Sequence, residues 1–333
     1  LDEAQSVKNA QSQGALAAKE LDAQVRVALT GTPMENHTGE LWSIFDFILP
    51  GYLGTQAAFL RRYGSGERAE ELRERIRPFL MRRLKSEVLS DLPEKHEQYL
   101  YAAMPPEQDR VYQTLLATLR QHVGQALDEG SLPRARMQVL SILLKLRQVC
   151  CHPKLFLPDY EGTSGKLELL VQTVHSAIDS GRRMLIFSQF VGMLQIIRKR
   201  LNREGVSCLY LDGATHPEER QRLCDRFNGG DGKVFLISLK AGGTGLNLTG
   251  ADLVIHYDPW WNPAAEDQAT DRAHRIGQTK DVDVIKLIAQ GTIEEKVTDL
   301  SQRKRAIFDR VVISGETALS SLTEEDIRAL FFS

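Results

Sequence analysis

The sequence predicts an α/β protein whose main sheet is parallel and doubly wound, and three observations carry this. Short apolar runs recur after residue 162, at 184–187, 208–211, 234–237, 253–255 and 284–288. The stretches between them are amphipathic and long enough for a helix. Buried strands that alternate with helices are the signature of crossover connections and of a sheet wound in both directions.

The elements follow in order. Residues 1–50 read as the closing part of a first α/β sheet: the run Val-Arg-Val-Ala-Leu at 25–29 is expected to be a strand that stops at Thr-Gly-Thr-Pro, 30–33. Residues 51–162 change character. Stretches rich in Arg, Glu and Leu at 70–84 and 107–127, with few strand signals, predict a helical insertion. Residues 163–292 hold the five apolar runs. Residues 293–333 open with a Lys- and Arg-rich helix, expected over about 293–311, that braces the junction between domains. No internal repeat or low-complexity tract interrupts this plan.

A chain of 333 residues can bury more than one core. Hydrophobic residues are 42% and charged residues 26%, and no apolar stretch approaches membrane-spanning length, so a disordered or membrane-spanning chain is excluded. From Leu1 onward there is neither a basic n-region nor an apolar signal core, so secretion is not expected, and the chain is expected to begin inside a longer protein. Lys and Arg total 42 against 44 Asp and Glu, so any contact with nucleic acid must come from local patches. Four cysteines do not make a disulfide framework, and adjacent Cys150 and Cys151 are poorly placed to bridge each other; a reducing, intracellular compartment fits. Cys150-Cys151-His152 lacks the spacing of a zinc site, and packing at a helix end is expected.

Several constellations carry chemistry. Asp2-Glu3-Ala4-Gln5 follows an apolar residue, where a strand end could deliver one carboxylate to Mg²⁺ through water and another to a water beside a γ-phosphate. The plain alternative is a solvated helix start. Thr30, Gly31 and Thr32 pair small hydroxyl side chains with a glycine and permit close approach to a nucleotide or a neighbouring lobe, or form a capped turn. The segment from Lys240 to Asn247 follows a buried strand, and its glycines could expose backbone N–H groups to phosphate. Trp260 and Trp261, between Pro259 and Pro263, suit stacking on a base or sugar, or packing in a groove, with the core expected for one of them. Gln268, Arg272 and Arg275 would share one face of a helix, and convergent guanidinium groups suit a γ-phosphate; ion pairing with Glu266, Asp267 and Asp271 is the usual alternative. The clusters Arg61-Arg62 and Arg82-Arg83-Leu84-Lys85 suit either phosphate or an ion-paired face.

The ordered segments DEAQ, LTGTPMEN, PFLMRRLKSEV with DLPEK, LRQVCCHP, LIFSQF, YLDGATHPEERQ, AGGTGLNLTGADLVIHYDPWWNP and DQATDRAHRIGQ resemble the motifs of Swi/Snf-type ATPases, a branch of the superfamily-two helicase-like motors. The resemblance spans nearly the whole chain, and DRAHRIGQ and DPWWNP are its most specific elements. It implies a RecA-like parallel sheet as the second motor lobe over 163–292, the family's helical insertion over 51–162, and the C-terminal remnant of a first RecA-like lobe over 1–50, with ATP between lobes and DNA across both. It implies Asp2 as the Mg²⁺-holding and Glu3 as the water-activating carboxylate, and Arg272 and Arg275 as arginine fingers. Gly245 and Gln268 are then placed on the nucleotide side. Ser188, Gln189, Ser238, Lys240, Gly243, Thr244 and Trp261 match positions that approach the DNA backbone or minor groove. Thr30, Gly31 and Thr32 match the coupling motif between nucleotide and DNA.

The implied function is an ATP-dependent double-stranded DNA translocase that remodels protein–DNA complexes, with ATP and Mg²⁺ as cofactors, and RNA polymerase or nucleoid or chromatin proteins among its partners. A bacterial cytoplasm is the expected location, or the nucleus in a eukaryote. The sequence departs from the family in one respect: no G-x-x-x-x-G-K-[ST] loop precedes DEAQ, and the Gly-Thr-Ser-Gly-Lys-Leu segment at 162–167 has neither the spacing nor the hydroxyl after lysine. The chain alone is therefore expected not to hydrolyse ATP. A strand-separating helicase and a non-catalytic DNA- or protein-binding module are the rival readings.

Overall fold

Uninterrupted runs of Val, Ile, Leu and Phe suit strands covered on both faces, and the computed structural model places the five expected runs in one parallel sheet. It describes residues 1–31, 38–64, 68–81, 83, 92–128, 132–242, 245–260 and 263–299, with side chains except those of 126–140, 263 and 264. The described residues fall into two compact units, one within Leu1–Val88 and one within Leu89–Ser301.

In the first unit, helix α1 (Gln13–Glu20) starts at Ser12, whose Oγ accepts the Ala15 N–H at 3.2 Å, and α3 (Gln56–Tyr63) starts at Thr55 in the same way. Between them α2 (Thr38–Ile48) buries Leu41, Trp42 and Phe45 against Phe59 and Tyr63 of α3 and Leu72 and Ile76 of α4 (Ala69–Ile76). The helix expected to run to residue 84 stops at Ile76, because Pro78 cannot continue the ladder, and Arg77–Phe79 forms a single 3₁₀ turn.

The strand expected at 25–29 is also corrected. The segment is extended and bonds to the chain start, Leu29 N–H to Leu1 O at 2.8 Å and Ala4 N–H to Leu29 O at 2.9 Å. Those bonds align it without a ladder, and the side chains of Val25, Val27 and Leu29 stay exposed.

In the second unit the strands are β1 (Lys95–Ala102), β2 (Met184–Ser188), β3 (Cys208–Leu211), β4 (Val234–Ser238), β5 (Leu253–His256) and β6 (Val282–Ala289). Their spatial order is β1-β6-β5-β2-β4-β3, every pair parallel. The connections run to one side of β2 through β3 and β4 and to the other through β5 and β6, so the winding reverses at β2. Such a switch point opens a crevice at the carboxyl ends of the strands.

Alternate residues feed two cores. Met184, Ile186, Val234, Leu236 and Ile255 pack under α7 (Gly165–Asp179) and α8 (Val191–Arg203). Leu185, Phe187, Phe235, Ile237 and Val254 pack under α9 (Pro217–Asn228), together with Ala269 of α10 (Pro263–Thr270). Strand β1 lies inside the stretch read as a helical insertion and pairs with β6 from Lys95↔Val282 to Ala102↔Ala289. The rest of that stretch holds the long helices α5 (Pro106–Asp128) and α6 (Leu132–Cys151), joined where Gln108 Nε2 donates to Val149 O at 2.8 Å. A further helical segment covers 293–299, while the remainder of the helix expected to 311 lies outside the described residues. No described helix is long and apolar enough to cross a membrane.

Candidate functional site

Three chain segments meet at the switch point. Ser188 ends β2 beside Ser238 at the end of β4, and Asp258 follows β5. Ser188 Oγ donates to Asp258 Oδ1, and the Gln189 N–H donates to Asp258 Oδ2 at 3.3 Å. Arg147, from the last turns of α6, lies over this carboxylate: its Nη2 is 3.8 Å from Asp258 Oδ2 and donates to Pro259 O, and Nη1 donates to Gln189 Oε1 at 3.2 Å. The guanidinium is 2% exposed and packs against the rings of Phe190 and Trp260. A buried cation needs such partners, since an isolated charge of this kind is costly in a low-dielectric interior. The result is a clamp that fixes the Ser-Gln-Phe and Asp-Pro-Trp segments relative to each other.

Ser188 and Ser238, expected to approach DNA, offer it little of their side chains. They are 1% and 4% exposed, and the Ser188 hydroxyl is engaged by Asp258. Lys240 is exposed and Gln189 half-buried at the same edge. Gly243, Thr244 and Trp261 lie outside the described residues.

The glycine-rich segment follows β4 through one helical turn, Leu239–Gly242. A Cβ on Gly242 would stand 2.7 Å from Phe187 Cε1, so glycine is needed for this turn to lie on the sheet. Gly245 has φ +50 and is exposed. Arg272 Nε donates to Gly242 O and Arg275 Nη1 to Leu246 O, both at 3.2 Å, so two half-buried guanidinium groups hold the two ends of one loop.

Gln268, half-buried, is on α10, but the two arginines do not share its helical face as the spacing predicted. The helix stops at Thr270; Arg272 O is taken by the Leu248 N–H at 2.9 Å, and residues 271–277 form turns ending at Gly277 with φ +101. Gln278 closes this segment, its Nε2 donating to Thr249 O, Ala251 O and Ala273 O, and its Oε1 accepting the Thr279 and Lys280 N–H groups.

In the first unit the Asp-Glu-Ala-Gln and Thr-Gly segments are side by side. Glu3 has φ 49 and ψ 52, the one non-glycine residue described in the left-handed region, a conformation that costs on the order of 1–2 kcal/mol and needs surrounding bonds to persist. Gln5 supplies them: its Nε2 donates to Glu3 Oε2, and its Oε1 accepts the Thr30 hydroxyl at 2.7 Å. Asp2 is exposed, with Oδ1 accepting the Glu3 N–H at 2.9 Å. Gly31 is exposed, and Thr32 lies outside the described residues.

Residues 1–155 match the SNF2-related domain and residues 165–277 the helicase conserved C-terminal domain. The SWI2/SNF2 ATPase core of Sulfolobus solfataricus, solved in complex with double-stranded DNA, superposes with a TM-score of 0.62 at 37% identity, over 99% of this chain and 71% of that one. The chain belongs to the SWI2/SNF2 family of ATPases. Relatives include the YwqA protein of Bacillus subtilis, 39% identical over 99% of this chain and 37% of its own length. An uncharacterized ATP-dependent helicase of Mycoplasma pneumoniae is 37% identical over 99% of this chain and 32% of its own length. The chain thus spans about a third of the length of these two relatives.

For a SWI2/SNF2 chain the lysine of the 162–167 segment would be the tempting phosphate ligand, and the structure rules it out in this state. Lys166 is 1% exposed, with Nζ 3.0 and 2.9 Å from the two carboxylate oxygens of Glu294. Burial opposes its charge most strongly, but Glu294, with Cys151 and Asp258, together outweighs it and holds the Lys166 pKa above the ordinary lysine value. Cys150 and Cys151 are fully buried core residues whose thiols burial pushes well above their usual range.

Sequence reading missed three organising side chains of the SWI2/SNF2 site: Arg147, Asp258 and Gln5. Each lies inside a quoted motif; Arg147 and Asp258 are buried polar residues near a helix end and after a strand, while Gln5 is half-buried within the turn that follows Glu3. Only the three-dimensional pairing reveals what each one holds.

Proposed function

We propose that the chain is the carboxyl-terminal part of an ATP-driven translocase on double-stranded DNA that remodels protein–DNA complexes. The observation that carries the reading is the pair Arg272 and Arg275, both bonded to carbonyls of one glycine-rich loop at the carboxyl edge of a parallel sheet. Two guanidinium groups tied to one loop form a preorganised positive site, suited to a transferring phosphoryl group whose charge spreads over three oxygens. In this reading they act as arginine fingers, with Gly245 and Gln268 beside the nucleotide. Glu3 polarises the attacking water and accepts its proton, and ATP yields ADP and phosphate. Asp2 offers an exposed, hard carboxylate oxygen of the kind that holds Mg²⁺ through water, and a bound Mg²⁺ would neutralise charge on the phosphates. Thr30, with Gly31 and Thr32, passes nucleotide state onward, and the Gln5 bridge between Glu3 and Thr30 suits that role.

Duplex DNA as the track is supported by the Sulfolobus solfataricus core, whose solved complex holds double-stranded DNA. Lys240, Gln189, Gly243, Thr244 and Trp261 are the assigned contacts, while Ser188 and Ser238 act by setting the strand ends that carry them. Phosphate contacts carry no sequence information and release counterions, so binding is sequence-independent and weakens with salt. RNA polymerase and nucleoid or chromatin proteins are the kind of obstacle such a motor moves, in the bacterial cytoplasm or in a nucleus.

The name of the Mycoplasma pneumoniae relative, a helicase, keeps strand separation as the second reading. Fluorescence anisotropy with the full-length protein separates them. The translocase reading expects blunt duplexes of unrelated sequence to bind alike, more tightly than single strands, and a tailed duplex to stay paired in the presence of ATP. Preference for single strands with displacement of the tailed strand would replace it by the helicase reading.

A further inference from the structure

Away from the sheet edge, a cavity of about 340 Å³ lies between the segment that follows α6 and the outer face of α8. Its lining includes His152, Lys154, Tyr160, Lys199, Arg200 and Arg203, none of which takes part in the site above. His152 is 5% exposed, and its Nδ1 accepts the Lys154 N–H at 3.1 Å. With Nδ1 acting as acceptor, the neutral ring carries its proton on Nε2. Burial, reinforced by Lys154, pulls the His152 pKa down to about 4, so the ring is neutral near pH 7. No described residue accepts a hydrogen bond from Nε2, and Nε2 is not among the fully buried polar atoms without a partner, so this donor is open to solvent in the wall of the cavity.

The charges around it are unequal. Arg200 is engaged in a two-pronged bond to Glu168, at 2.7 and 2.9 Å, and also pairs with Glu204. Lys154, Lys199 and Arg203 have no carboxylate partner among the described residues, and Lys199 and Arg203 sit one turn apart on α8. Glu161 and Glu168 are the carboxylates of the lining, against Lys154, Lys199, Arg200 and Arg203, so the sum stays positive. At the rim the Tyr160 hydroxyl donates to Thr163 O and lies close over Gly162, so a side chain there would have to push the Tyr160 ring aside. The cavity is a concavity with an open imidazole donor in its wall and a cationic mouth.

We propose that this cavity binds a multiply charged phosphate group, with the His152 Nε2–H, Lys199 and Arg203 as its ligands. A phosphate offers several acceptor oxygens to donors converging from different directions, and charge-assisted bonds of this type are the strong ones. The same chemistry could arrive on a free phosphate compound or on the backbone of a nucleic acid. The site uses no residue of the proposed motor machinery, so it stands or falls independently of that reading.

The test is a titration of the full chain, labelled with ¹⁵N-histidine, with inorganic pyrophosphate at constant ionic strength. The expected result is a saturable shift of the His152 imidazole resonances, weakened at least tenfold in the Lys199→Ala/Arg203→Ala variant, whose changes lie on an exposed helix face. A short blunt duplex forms the second arm. If it produces the same shift and displaces pyrophosphate, the source is a nucleic-acid backbone; if only pyrophosphate acts, it is a free phosphate compound. A shift that does not saturate, or one equally strong in the double variant, would overturn the proposal.

Discussion

Lys166 and Glu294 pair two charges in a place where neither could survive alone, with side chains 1% and 0% exposed. Replacing Lys166 by Met strands the Glu294 carboxylate, and loss of one partner of a buried pair costs about 3–5 kcal/mol. Replacing both, Lys166→Met with Glu294→Leu, removes the stranded charge and is expected to recover most of that loss. Urea unfolding measures both; a double variant no more stable than the single one would show that the pair is not what matters.

His256 gives a pH signature. Its ring stacks on Phe187 at 5.6 Å, its Nε2 lies 2.9 Å from Thr270 Oγ1, and burial, with help from Lys286, pulls its pKa down to about 3. The unfolded chain, with a histidine pKa of about 6.5, takes up the proton first, so the neutral ring's contribution is complete above that pH. Stability is then lost as pH falls toward 3, by about 1.4 kcal/mol per pH unit. His256→Gln should flatten the fall measured between pH 6 and 4. An unchanged slope would place the titrating group elsewhere.

At the level of elements, the turn Leu239–Gly242 is where strand packing and loop geometry meet. Gly242→Ala pushes a methyl group against Phe187, whose ring is itself packed in the core, and overpacking of this kind costs about 1–3 kcal/mol. The measured loss of melting temperature should be accompanied by weaker nucleotide response, because both arginines hold this loop. A fully stable variant would mean that the loop is free to shift.

Strands β2, β4, β5 and β6 were legible in the sequence because burial on both faces leaves one apolar run per strand, and β3, half-buried at the sheet edge, keeps the apolar run Cys-Leu-Tyr-Leu. Strand β1 was not, since an edge strand with Lys95, His96, Glu97 and Gln98 exposed has no such run, and nothing local distinguishes it from a loop. The run at 25–29 misled for the converse reason: its composition is that of a strand, but among the described residues it makes only isolated bonds to the chain start and no ladder with a partner strand. Arg272 and Arg275 were found by residue type and spacing, though the helix assumed for them ends at Thr270. The clamp built from Arg147, Asp258 and Gln189 joins residues 42 to 111 positions apart, and no periodicity records a pairing of that range.

For the whole molecule, the labour is divided between two units. Asp2, Glu3 and Thr30 belong to one unit, while Arg272, Arg275 and the strand-end clamp belong to the other. If the chain is part of a duplex translocase, as proposed, the motor is active only when DNA and nucleotide are both bound, and hydrolysis depends on duplex and on the arginines together. The most direct measurement is steady-state ATP hydrolysis by the full-length protein, with and without blunt duplex DNA, for the natural sequence and for Arg275→Ala. Stimulation by duplex that falls by a factor of about 10² or more in the variant, as loss of a transition-state arginine predicts, is the expected result. Hydrolysis indifferent to duplex, or equally fast without the Arg275 guanidinium, would contradict the account.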